Sequence, residues 1–280
     1  MRLCAFADEA AASLEEQIKA LERNGISLLE IRHVDGENIA DISASKACEI
    51  RKMLDASGIS VWSIGSPIGK YSLGKDFAPH LDAFRRTVEI AQILGASNIR
   101  LFSFFTENAP KTDAMREEVI ARLDAFCNEA PHSILLCHEN EKEIFGDDIE
   151  SCLALYKALP RMRAVFDPAN FVQCGENTEK AFETLAPYVE YMHVKDALAD
   201  GTVVPAGDGK GKLGLILRKY AQNGGDVVTL EPHLKAFIGL ERLERGNDMK
   251  TAFSYVSCGE AFDFAALKLK QILSDIEKEH

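Results

Sequence analysis

The chain has no CxxC pair, no apolar stretch long enough to cross a bilayer, no basic N-terminal segment leading into an apolar core, and no surplus of positive charge. Each absence closes off a class of protein. Without a spanning run or a signal-like start (the chain opens MRLCAFADEA), no membrane role is expected, and the cytoplasm is the expected compartment. The seven cysteines, at 4, 48, 127, 137, 152, 174 and 258, are odd in number and scattered, which argues for reduced thiols and against a disulfide framework. Cys137 lies beside a candidate ligand, and packing is its expected role. A formal net charge of −12 would repel nucleic-acid phosphates and anionic headgroups, so neither is an expected partner.

What is present is a repeating pattern. Apolar runs that do not alternate with polar residues occur at 3–7, 27–32, 59–65, 98–105, 133–140, 162–171, 189–197 and 226–234, and a helical pattern follows each one. Such runs suit strands of a parallel sheet buried on both faces. Helix signals punctuate them: Ser13 and Glu16 match a capping box, and Gly25, Gly58 and Gly95 stand at helix ends. Eight strand-helix units in 280 residues fit a single-domain (β/α)8 TIM barrel better than the alternative, a doubly wound open sheet. The last strand and its helix are separated by a long insertion at about 235–262, expected to be a lid or a dimer contact.

In a barrel of this kind, reactive groups gather where strands end. The polar residues closing the runs are Glu30, Lys70 a little beyond the third, Glu139, Asp167, His193 and Glu231. The last four fall on four successive strands, whose neighbours lie about 5 Å apart, so their side chains can converge. Three carboxylates and one imidazole suit a divalent cation of the Mn, Mg, Co or Zn type. Lys195 and His233 each lie two residues beyond a candidate ligand, on its side of the strand, where either could reach a substrate; Lys195 could equally form a buried ion pair. Lys70 could hold an anionic group, and Glu30 could pair with Arg32 or touch substrate. His138 alternates to the opposite face from Glu139 and is expected to pack. The glycines of GDGKGKLG (207–214) follow the seventh strand instead of opening a first βαβ unit; a loop passing close to the ligand is expected there, not a dinucleotide site.

With the motifs LLEIR (28–32), LGASNIRLF (94–102), LLCHENEKEIFGD (135–147), FDPANF (166–171), YMHVKDA (191–197), PAGDGKG (205–211) and LEPHL (230–234) in order, the chain resembles the xylose isomerase-like barrels, and within them the sugar phosphate isomerase/epimerase family. The resemblance implies a metal bound by Glu139, Asp167, His193 and Glu231, with Glu139 and Glu231 also moving protons through a cis-enediolate. It implies a small sugar-like substrate and allows a homodimer. Where the best-known epimerases of the family carry a substrate-contacting His and an Arg, this chain has Asn170 and Ala199, with Lys195-Asp196 nearby. Those departures point toward an inosose-type dehydratase or a substrate bearing an acid or phosphate. A non-catalytic sugar-binding protein is a further alternative, though it would not need the two proton-handling glutamates. An endonuclease of the superfamily would need more histidines than these seven and a basic face.

Overall fold

The computed structural model describes residues 1–240, 250–251 and 253–278. Eight strands make the barrel: β1 (Arg2–Ala5), β2 (Leu28–Ile31), β3 (Ser60–Gly65), β4 (Asn98–Leu101), β5 (Leu135–Glu139), β6 (Met162–Phe166), β7 (Val189–Val194) and β8 (Val227–Leu230). Each pairs in parallel with its neighbour, and β1 pairs with β8 to close the ring, so the chain is a single-domain (β/α)8 TIM barrel. Nine helices are seen among the described residues: α1 (Leu14–Arg23), α2 (Ala44–Ala56), α3 (Ala78–Leu94), α4 (Asp113–Glu129), α5 (Ile149–Ala158), α6 (Pro168–Gln173), α7 (Thr178–Leu185), α8 (Leu213–Gln222) and α9 (Cys258–Lys278). None is long and apolar enough to cross a membrane.

Local chemistry sets the helix limits. Ser13, Ser43, Thr112 and Asp148 cap α1, α2, α4 and α5 by accepting a backbone N–H three residues on. Gly95 ends α3 in the left-handed conformation (φ 69°). The main core lies between strands and helices, while a small cluster of Cys4, Cys137, Val165, Tyr191 and Val227 fills the barrel floor. Cys137 is therefore a packing residue, and all seven thiols are free.

Three strands stop sooner than their apolar runs. The run 98–105 is strand only to Leu101; beyond it Phe104 turns into positive φ (67°), and its N–H donates to the Gly69 carbonyl at 2.9 Å. The run 162–171 breaks at Phe166, where Asp167 caps α6 and Pro168 takes the first helical position, which lacks a partner for an N–H anyway. After β7, Asp196–Ala197 leaves the barrel to form a two-stranded antiparallel ribbon with Val203–Val204. The long connection expected over 235–262 lies partly outside the described residues, at 241–249 and 252.

Candidate metal centre

Four consecutive strands deliver the cluster. Glu139 is the last residue of β5, Asp167 follows β6, His193 sits within β7 and Glu231 follows β8. Each offers one donor atom, the four atoms lie within 4.8 Å of one another, and all four residues are buried. Glu139 Oε2, Asp167 Oδ2, His193 Nδ1 and Glu231 Oε2 make no hydrogen bond, and neither does the nearby Asn170 Oδ1. Buried polar atoms rarely lack a hydrogen bond; ion pairs to Lys195 and Arg100 touch the three carboxylate oxygens, and a bound cation and its ligand would satisfy the rest of the set. The donor set fits a divalent ion.

The remaining atoms of these residues are tied down. His193 Nε2 donates to Glu30 Oε2 at 3.1 Å, leaving Nδ1 toward the cluster, 3.3 Å from Glu139 Oε1 and 3.2 Å from Glu231 Oε2. Glu30 Oε1 accepts from the Tyr191 hydroxyl (2.8 Å), which in turn accepts from Ser63 Oγ (3.0 Å). Asp167 spends Oδ1 on the Asn170 backbone N–H (2.9 Å), so Oδ2 alone faces inward, 2.9 Å from Lys195 Nζ. Asn170 Nδ2 donates to Glu139 Oε1 at 3.1 Å, and Arg100 Nη1 lies 3.2 Å from Glu139 Oε2. Arg32 Nη1 donates to Glu231 Oε1 at 2.9 Å. Asn140 braces the floor, its side chain exchanging two 2.9 Å hydrogen bonds with the Asp167 backbone.

Burial pushes the carboxyls of Glu139, Asp167 and Glu231 upward, and their neighbours decide the outcome. Glu139 ends below the usual range because His193 and Arg100 outweigh burial, and Lys195, His193 and His233 hold Glu231 well below it. Asp167 stays raised, at about 6, since burial beats Lys195. For His193 burial opposes the charge, but Glu139, Glu30 and Glu231 drive the imidazole well above its ordinary value. A cation at Nδ1 would compete for the same lone pair as that proton.

Of the residues singled out in the sequence, Glu30, Glu139, Asp167, Asn170, His193, Lys195, Glu231 and His233 come together. Lys70 pairs through its ammonium with Glu141 (2.9 Å), whose carboxyl also feels Lys195, and lies over the Phe102 ring (4.6 Å). Glu30 lies beneath His193 and is wholly buried, and the Arg32 side chain turns instead to Asp8, Glu9 and Glu231. Lys195 is both a buried ion pair and a group at the cluster, 3.6 Å from Glu231 Oε2. His138 points away, between Tyr156 (3.0 Å) and Ser103 (2.9 Å). The glycine-rich loop wraps a carboxylate of the chain itself: the N–H groups of Gly207, Gly209 and Gly211 donate to Asp196 at 2.9–3.0 Å. Asp8, Glu9, Arg100 and Asn140 were not anticipated at the site. Asp8-Glu9 directly ends the first apolar run and Asn140 the fifth, so the strand-end criterion covers them; Arg100 is a single cation inside an apolar run and gives no such signal.

The family profile described as xylose isomerase-like TIM barrel matches residues 18–246, and the chain belongs to that family. Among solved structures, the fold is similar to an L-ribulose 3-epimerase (TM-score 0.75, 16% identity, covering 99% of this chain and 97% of that one). It is similar also to a probable 3-DHS dehydratase, AsbF, from Bacillus anthracis (TM-score 0.74, 15% identity, 96% and 99% covered). A third is the IOLI protein with a bound zinc atom (TM-score 0.73, 16% identity, 99% of both chains covered). At such identities these likenesses speak to the fold alone. No curated protein sequence matches the chain.

Proposed function

We propose that the chain is a divalent-metal-dependent isomerase or epimerase of a sugar, sugar phosphate or related polyol ketone, with Glu139, Asp167, His193 and Glu231 holding the ion. The observation that carries this reading is the convergence of four buried donor atoms without hydrogen bonds, three carboxylate and one imidazole, at the ends of successive strands. A divalent ion there supplies Lewis-acid polarisation of a substrate carbonyl, which acidifies the neighbouring C–H.

The protein's own groups do the rest. Glu139 and Glu231 come from the two ends of the four-strand arc, and each has an Oε2 that makes no hydrogen bond, only ion-pair contacts. In the reaction one of them, as the carboxylate, removes a proton from the substrate carbon to give an enediolate, and the other, starting as the carboxylic acid, delivers its proton from the opposite side. Asn170 Oδ1 accepts from a substrate hydroxyl, and Lys195 Nζ donates to a substrate oxygen. The residues around the cluster are at most a few per cent exposed, which limits competing exchange with water.

Lys195 favours a second reading, an inosose-type dehydratase. After the same enolisation, an ammonium at this position would donate the proton that lets a β-hydroxyl leave as water. Incubation with ketoses, sugar phosphates and inososes in deuterated water, with Mn²⁺ or Zn²⁺ added, separates the two: an epimerase or isomerase returns a labelled isomer, whereas a dehydratase yields a product lighter by one water. Glu139→Gln and Glu231→Gln should each lower turnover by about 10²- to 10⁴-fold. Activity unchanged in both variants, or no divalent ion bound by the wild type, would rule the reading out.

A further inference from the structure

Beside the first cluster lies a second set of ligand-type atoms. Glu9, Glu231 and His233 each offer one donor within 4.8 Å of the others, and all three are buried. His233 adopts a left-handed backbone (φ 45°), and its N–H donates to Glu9 Oε2 at 2.7 Å. The residue is 4% exposed, yet Nε2 makes no hydrogen bond. Two carboxylates and an imidazole, one carboxylate shared with a neighbouring site, form a donor set that a second divalent ion could take.

The geometry places a guanidinium in that set. Arg32 Nη2 lies 3.2 Å from Glu9 Oε1 and Nη1 lies 2.9 Å from Glu231 Oε1. These are the same two oxygens that His233 Nε2 approaches at 3.3 and 3.5 Å. Asp8 grips the other edge of the guanidinium, accepting from Nε at 2.8 Å and from Nη2 at 3.1 Å. The rings of Phe6 and Phe237 stand 4.2 and 4.8 Å from its central carbon, and the residue is 1% exposed. Arg32 is therefore fixed, and it keeps its charge at any pH at which the fold exists. A divalent ion on the same oxygens would meet that charge at close range in a poorly screened interior.

We propose that Arg32 is a built-in cation that fills the Glu9, Glu231 and His233 cluster and keeps a second divalent ion out. It acts also as a positioning residue, holding Glu231 by Oε1 so that Oε2 alone turns to the first cluster; that part rests on the metal reading above, whereas the exclusion of an ion does not. Taking the guanidinium away leaves the carboxylates of Asp8, Glu9 and Glu231 with Lys195, 3.6 Å from Glu231 Oε2, as a fixed cation beside imidazoles, a set still short of positive charge that recruits a cation.

Counting bound Mn²⁺ by equilibrium dialysis, with electron paramagnetic resonance on the same samples, tests the proposal; Mn²⁺ as probe favours oxygen and nitrogen donors over the seven thiols. Arg32→Ala should bind one more Mn²⁺ per chain than the wild type and show the broadened spectrum of two ions sharing a carboxylate. Adding His233→Ala should remove the extra ion. His233→Ala alone should leave the wild-type number unchanged, which keeps the test open if Arg32→Ala does not fold. An equal number in folded Arg32→Ala and wild type overturns the proposal, and so does a wild-type ion lost on His233→Ala. A wild type that binds no Mn²⁺ contradicts the reading of the first cluster, and the difference between variant and wild type still decides this one.

Discussion

At the residue scale the arrangement turns on which end of the His193 ring carries the proton. Glu30 is an acceptor, so Nε2 keeps its proton, and Nδ1 is the nitrogen that gives up its proton to a cation in the cluster. Glu30 is in turn held by Tyr191 and Ser63, a relay that fixes both the tautomer and the tilt of the ring. Glu30→Gln keeps the shape but lets the amide present either an oxygen or an N–H to Nε2. Divalent-ion affinity should fall by about 10- to 100-fold, read by titration with Mn²⁺ or Zn²⁺. Affinity within twofold of the wild type would mean that Glu30 is ordinary buried packing. Glu30 also marks what can be read from a strand. The two-residue alternation gives the face, and Glu30, Arg32, His193 and Lys195 all point inward as expected. It does not give the partners along the barrel axis: Glu30 spends its two oxygens on Tyr191 and His193, and Arg32 pairs instead with Asp8, Glu9 and Glu231.

At the element scale the four cluster positions were legible because apolar runs end where strands end, and a buried parallel strand tolerates little else. The junctions were not. FDPANF reads as more strand until Asp167 is recognised as an N-cap and Pro168 as a first helical residue, a tertiary-independent signal masked by the apolar residues around it. The role of the glycine-rich loop after β7 in holding Asp196 was hidden for a different reason: that partner lies eleven or more residues away in sequence. A Cβ on Gly209 would stand 2.2 Å from Asp196 Oδ1 and 2.7 Å from the Ala197 carbonyl, so Gly209→Ala must displace the loop. We expect it to destabilise the fold by about 1–3 kcal/mol, as overpacking does. Gly214, inside α8 with nothing within 4 Å of a Cβ, is the control, and Gly214→Ala should be neutral or stabilising by up to about 1 kcal/mol. Urea unfolding of the two variants makes the comparison; equal stabilities would show that the loop yields freely.

At the scale of the whole molecule, one coupling ties an outer helix to the rim of the barrel and sets a pH dependence. His80, on α3, is stacked on Tyr71 at 4.4 Å, and its Nε2 accepts the Gly69 N–H at 2.9 Å. Gly69 (φ 87°) is pressed so closely on the Phe102 carbonyl that a Cβ would lie 1.9 Å from it, so the loop bearing Lys70 is locked between α3 and the end of β4. Burial, and then Arg122, lower the His80 pKa to about 4, against an ordinary value of 6.5. Between those two values the unfolded chain binds a proton that the folded chain refuses, so stability rises with pH across that window. The contribution is complete above 6.5 and is lost as the pH falls toward about 4, by about 1.4 kcal/mol per pH unit. A protonated ring would also have no lone pair for the Gly69 N–H, so the Lys70 loop should loosen before the barrel opens. Urea unfolding from pH 8 to 4.5 should give a steeper acid loss in the wild type than in His80→Gln, whose side chain can accept the same hydrogen bond without titrating. Amide exchange at Gly69 should quicken in the wild type over the same range. A His80 ring that titrates near 6.5 by NMR in the folded protein, or parallel stability curves for the two proteins, would remove this coupling and leave the acid response to groups elsewhere in the barrel.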